Sequence, residues 1–191
     1  MTPEREDAMK GLLLVLFWPD AVWKHLRDAP LAPGRLIFRL ALPLALACAF
    51  ALQIGTGSFN VDAERVDAPI GAITAPIFFA TWLGAVLAMA VAFTLFAPGC
   101  KGRRDFTRSL NLAFFGLAPV WFASLASAAV PVAALSPFAL AWSGYLLLVG
   151  ARILLDVGDE ESGEFLIGSG AAMIVVTSVW GLVLGSFAFH G

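Results

Sequence analysis

Charge is scarce in this sequence: 14% of its 191 residues are charged, against 60% hydrophobic. An average soluble domain is about half apolar and about a quarter charged, and a soluble surface could not be covered with so few polar groups. The 12 basic and 14 acidic residues nearly cancel, leaving no excess of either sign to attract nucleic acid or acidic ligands. The few charges collect in short stretches between long apolar runs, the pattern of membrane insertion.

Cysteine and histidine are nearly missing. Cys48 and Cys100 give neither a disulfide framework nor a zinc spacing; one lies in an apolar run and one in a basic loop, so they are expected apart and unpaired. His25 and His190 fall on opposite sides of the topology derived below, which excludes a shared metal or acid–base pair. No basic n-region or small-residue cleavage site marks a secretory signal around Leu12–Trp18, and that apolar run is too short to span a bilayer. No internal repeat suggests a transporter of duplicated halves.

What is present is length. Five segments reach the roughly 20 residues that a bilayer demands: about 36–55, 69–97, 109–130, 133–155 and 165–189. The sequence therefore predicts an all-α, polytopic membrane protein, a bundle of five transmembrane helices over residues 36–191. A cytoplasmic segment, residues 1–35, precedes it. The join between the third and fourth spans offers no charged hairpin and is read as a tight turn marked by Pro131.

Lysine and arginine set the orientation. Arg5, Lys10, Lys24, Arg27, Arg35, Arg39, Lys101, Arg103, Arg104, Arg108 and Arg152 lie on the side that includes the N-terminus, and only Arg65 on the other. The N-terminus is expected in the cytoplasm and the C-terminus in the periplasm, in a bacterial inner membrane. The acidic stretch 156–164 then lies in a cytoplasmic loop, where carboxylates contribute little to orientation.

Within the N-terminal segment, Pro19 breaks the apolar run and Asp20 is placed to cap a short helix through Leu26. Val22, Trp23 and Leu26 fall on one side of it, Lys24 and Arg27 toward the other. This is read as a short amphipathic helix at the interface, with Trp18 and Trp23 as headgroup anchors; packing on the cytoplasmic face of the bundle is the other reading. Lys101, Arg103, Arg104 and Arg108 are expected to bind anionic headgroups, with Asp105 capping the third span.

The spans show little chemistry. None holds a carboxylate, the usual mark of a proton or ion path. Arg39 can snorkel beside Arg35, and Arg152 has Asp156 at i,i+4. Gln53 and Asn111 are expected to bond neighbouring backbone. Pro43, Pro76, Pro119 and Pro137 each remove a backbone hydrogen bond from one of the first four spans. In the fifth, Gly181 and Gly185 form a small-xxx-small pair, extended by Gly170 and Ser178 into a thin face for helix packing or a partner. Ser169 and Ser186 have no base to activate them. No catalytic residue, metal or cofactor is expected.

The chain resembles the Yip family (Ypt-interacting-protein-like membrane proteins), in its bacterial form. The likeness rests on the apolar lead into Pro19 and Trp23, a basic segment into a span with Pro43, and the loop Gly102 to Phe106. It continues through Ala118-Pro119-Val120-Trp121, then Tyr145 and Leu146 to Gly150, a charged loop and a last apolar segment, covering about 12–187. The resemblance implies a five-helix bundle with a cytoplasmic N-terminus. It also implies no enzymatic activity. Eukaryotic members are linked to small GTPases and vesicle traffic; their long hydrophilic N-terminal region has no counterpart here, so that role is not carried over.

Three function classes follow. The first is a non-enzymatic scaffold or accessory subunit that binds another membrane protein, or a second copy, or organises membrane lipids. A transporter or channel for a small solute is the alternative. A lipid-modifying enzyme would rely on the acidic loop, which is otherwise a solvated loop or at most a weak divalent-ion site.

Overall fold

The structure is a computed structural model that describes residues 3–59, 68–126, 128–129, 132–171 and 174. Every regular element among them is helical. In chain order these are α1 (Pro3–Phe17), α2 (Pro19–Asp28), α3 (Pro33–Leu36), a π-helical turn (Ile37–Ala41), α4 (Leu42–Phe59), α5 (Ala68–Phe96), a 3-10 turn (Ala97–Cys100), α6 (Phe106–Gly116), α7 (Ala118–Ala126) and α8 (Val132–Leu154). A further helix opens at 162 and is described through 171.

Four stretches of the described residues are long and apolar enough to cross a membrane: Pro33–Ala51, Phe79–Cys100, Phe106–Ala126 and Leu135–Leu154. The expected fifth span, 165–189, lies mostly outside the described residues, with Ser178, Gly181 and Gly185.

Local chemistry explains the breaks. Proline opens both α2 and α3 at the first helical positions, where its missing N–H costs nothing. The π turn directly precedes Pro43, which cannot donate to the carbonyl one turn back, and the ladder widens there instead of breaking. Before Pro119 the helix does break: Leu117 leaves the helical region at φ −85°, ψ 7°, separating α6 from α7. The carbonyl of Phe114 accepts a hydrogen bond from the indole Nε1 of Trp121 at 3.2 Å, so a side chain satisfies backbone where the ladder is interrupted.

α6 and α7 form the centre, 72% of the Phe106–Ala126 stretch being buried against 28% to 39% in the other three. α5 and α8 flank α6, and α4 and α8 flank α7. Trp121 sits at the middle, its ring 5.0 Å from Trp82 and 5.8 Å from Phe114. Gly116, at the break, admits Leu147 of α8: a Cβ there would lie 2.9 Å from the Leu147 Cγ. Without solvent to drive helices together inside a bilayer, such close van der Waals fits hold the bundle.

α2 does carry its apolar residues on one face, and that face is turned into the bundle. Val22, Trp23 and Leu26 are all buried, against α8 and α6. Trp23 has no exposed surface; its expected role as a headgroup anchor is corrected. The cause is Gly150, where a Cβ would come within 2.9 Å of the Trp23 ring and 2.5 Å of Leu112. A bare backbone on α8 leaves a slot as deep as an indole.

Helix α1 was not legible as an element of its own. Leu12 and Val15 face inward while Leu13, Leu14 and Phe17 remain exposed. At the α1–α2 corner, Leu16, Phe17 and Pro19 line an open hollow together with Trp142 and Tyr145. Tyr145 lies about 14 Å from the Leu154 end of α8 at roughly 1.5 Å per residue, so the corner reaches well along the flank of the bundle.

Candidate functional site

Three segments distant in sequence meet at one end of the bundle: the end of α2, the loop 97–105 and the loop 155–162. Backbone bonds join the two loops directly. Arg103 N–H donates to the Leu155 carbonyl at 2.7 Å and Gly158 N–H to that of Cys100 at 3.4 Å. Gly102 fits because it has no side chain; a Cβ would lie 2.8 Å from Val157 and 3.0 Å from two carbonyl oxygens. Lys101 and Asp156 turn the chain with φ of 59° and 54°, left-handed values uncommon outside glycine.

Charges then close the joint. Asp156 pairs with Arg27 at 3.5 Å and Arg103 at 3.7 Å, and Lys101 pairs with Glu161. Arg152 meets Asp159 at 3.4 Å and donates to the Ser162 hydroxyl at 2.8 and 3.1 Å. The expected Arg152–Asp156 pairing is thus replaced, because α8 stops at Leu154 and the left-handed turn at Asp156 carries its carboxylate away. The hydrogen bond from Lys101, aided by one from its own backbone and by the lysine's charge, holds Glu161 below the ordinary carboxylate value. The same bond and charge raise Lys101.

Arg108 works inward. It donates from Nη1 to the Leu154 carbonyl at 3.3 Å and from Nη2 to that of Arg27 at 3.2 Å. These carbonyls end α8 and α2, so one guanidinium caps two helix C-termini, where a cation also meets the favourable end of the dipole. Asp105 fixes it, accepting from the Arg108 backbone N–H at 3.1 Å and facing its Nε at 3.4 Å; this is the cap read from the sequence. Asp20, by contrast, lies inside α2 and makes no cap hydrogen bond. Asn111 ties α6 to the segment before α3, donating to the Leu31 and Thr107 carbonyls and accepting from Leu31 N–H.

Of the residues assigned to lipid headgroups, Trp18 and Arg104 are exposed. Lys101 and Arg103 bond to the acidic loop, and Arg108 is 16% exposed. The headgroup role is corrected for Arg108, whose donors face backbone carbonyls. Gly170 is described, and a Cβ there would meet nothing among the described residues; its proposed face with Ser178, Gly181 and Gly185 falls outside them. Ser169 donates to the Phe165 carbonyl of its own helix at 2.6 Å. Cys48 and Cys100 are both free and buried, and the Cys48 thiol donates to the Trp121 carbonyl at 3.5 Å. Among the described residues no three His, Cys, Asp or Glu side chains come together as a metal site.

Beside this joint lies a cleft of about 680 Å³ between α1, α2 and the start of the first span. Leu14, Leu26, Leu31, Leu40 and Phe115 give it apolar walls, with exposed Trp18 at its edge. Lys10, His25, Arg35 and Arg39 also line it, and no aspartate or glutamate is among its described lining residues. Sequence reasoning missed this grouping because it depends on α1 folding back. The available signal was the Pro19 break between the continuous apolar run Leu12–Phe17 and a following stretch with one apolar side.

A helical bundle with four described helices long and apolar enough to cross a membrane, locked at one end by ion pairs, defines a polytopic membrane protein. The chain belongs to the Yip1 domain family, whose model matches residues 13–190. No curated protein and no solved structure matches it.

Proposed function

We propose that this chain is a non-enzymatic membrane scaffold or accessory subunit that organises lipid or holds another membrane protein. The observation that carries this reading is the use made of its polar groups. Arg27, Lys101, Arg103, Arg108 and Arg152 are engaged in fastening segments to one another. The buried Ser124 and Ser169 bond carbonyls of their own helices, and Asn111 bonds backbone, so these groups do not combine into a polar path for a solute. The cleft, apolar with a basic lining, suits an amphiphile.

The reading includes an N-terminus in the cytoplasm and the C-terminus in the periplasm of a bacterial inner membrane. Its support is that the end of α2 and the loop 97–105, both assigned by lysine and arginine to one side, assemble at one end of the bundle with the loop that follows Arg152. A periplasmic reporter fused at Asp159 is expected to be inactive and one fused after Gly191 active. Purification in mild detergent tests the scaffold role: a protein or lipid is expected to remain in fixed ratio. Solute flux through proteoliposomes holding the purified chain alone would overturn it.

A further inference from the structure

We infer that the cleft between α1, α2 and the first span is a binding site for a single anionic phospholipid, an inference that rests on the lipid-organising form of the proposed function. Size comes first. About 680 Å³ falls within the roughly 300–1,000 Å³ of small-molecule sites, enough for a phosphate headgroup and the upper part of an acyl chain.

Chemistry narrows the occupant. Arg35 and Arg39 stand one turn apart at the membrane-entering end of the first span, and Lys10 and His25 line the same cleft from α1 and α2. Three elements thus converge their cationic and nitrogen donors on one space. Lys10, Arg35 and Arg39 each also engage other groups of the chain, but a guanidinium has five N–H donors and an ammonium three, so a phosphate can be shared. A free anion would need only these groups. The other wall is aliphatic and aromatic: Leu26, Leu31, Leu40 and Phe115 offer a phosphate nothing and an acyl chain van der Waals contact.

The route of entry is apolar as well. Leu14 and Trp18 line the cleft and are 44% and 64% exposed, and Leu13 and Phe17 beside them are exposed too. An occupant drawn from the bilayer would pass along this face with its chain in contact throughout. Arginine forks match phosphate oxygens in pairs, which favours an anionic phospholipid over a zwitterionic one.

The test is native mass spectrometry of the full chain with phosphatidylglycerol, phosphatidylcholine or inorganic phosphate. One phosphatidylglycerol per chain is expected to survive, neither displaced by phosphate nor matched by phosphatidylcholine. Arg35→Gln with Arg39→Gln should weaken retention by about tenfold for each charged donor lost. Leu14→Trp, which fills the cleft from its exposed side and keeps every charge, should do the same while the helical circular dichroism stays unchanged. Equal retention of phosphatidylcholine, displacement by phosphate alone, or full retention in folded Leu14→Trp would each overturn the site. If a protein partner persists in fixed ratio while lipid count ignores the variants, only the cleft assignment falls. If wild type keeps neither lipid nor partner, the scaffold reading falls with it.

Discussion

The indole of Trp23 occupies the place where a side chain at Gly150 would stand. A Cβ on Gly150 would lie 2.9 and 3.0 Å from two ring carbons of Trp23, closer than side chains pack. Two residues more than a hundred positions apart thereby fasten the N-terminal helices to the last described span.

Gly150→Val should force α2 off the bundle, at about 1–3 kcal/mol of overpacking. Trp23→Ala should cost about 3–5 kcal/mol by leaving a ring-sized hole. Trp23→Phe separates shape from polarity: the Trp23 Nε1 is buried without a hydrogen-bond partner among the described residues, so losing it removes an unsatisfied donor. It should cost far less than alanine. Thermal unfolding in detergent reads all three, and equal losses for Phe and Ala would refute this packing role.

Arg108 fastens the same joint by hydrogen bonds. Arg108→Lys keeps the charge but cannot reach the Leu154 and Arg27 carbonyls together, and about 1–3 kcal/mol should be lost. Proteolysis of the α2–α3 segment should accelerate in step. A variant as stable and as resistant as wild type would show that the double cap contributes nothing.

The Lys101–Glu161 pair should give a pH window. Glu161 is lowered from 4.5, so its contribution is complete above that value and fades as pH falls through the lowered one. Lys101 is raised from 10.5, so its share is complete below that value and fades as pH rises through the raised one. The melting difference between wild type and Glu161→Gln should be flat between 4.5 and 10.5 and shrink outside. The pair is at the surface, so the difference is small and falls with salt. A difference that grows at acid pH would reverse the assignment.

The last apolar segment is proposed as the docking surface for a membrane partner or a second copy. Leucine at both Gly181 and Gly185 would hold helix axes apart. The expected outcome is loss of the co-purifying partner from a folded, inserted chain. Misfolding, or a partner kept at full ratio, would place docking elsewhere.

Much was readable from composition and spacing, because membrane insertion acts on local sequence. The apolar runs that became α5 and α8, the grouping of Val22, Trp23 and Leu26 on one side of α2 and the cap at Asp105 follow from periodicity and nearest-neighbour chemistry. Tertiary structure alone decided what those faces meet. No local pattern tells that the side of α2 bearing Trp23 will find a slot at Gly150 rather than headgroups, since both environments accept an indole. Nor does spacing reveal that Asp156 leaves its i,i+4 partner Arg152 for Arg27 and Arg103. That exchange depends on a left-handed turn held by bonds between two loops. The basic lining of the cleft is the extreme case: Lys10, His25, Arg35 and Arg39 are scattered along the chain, and only the fold-back of α1 puts them around one space.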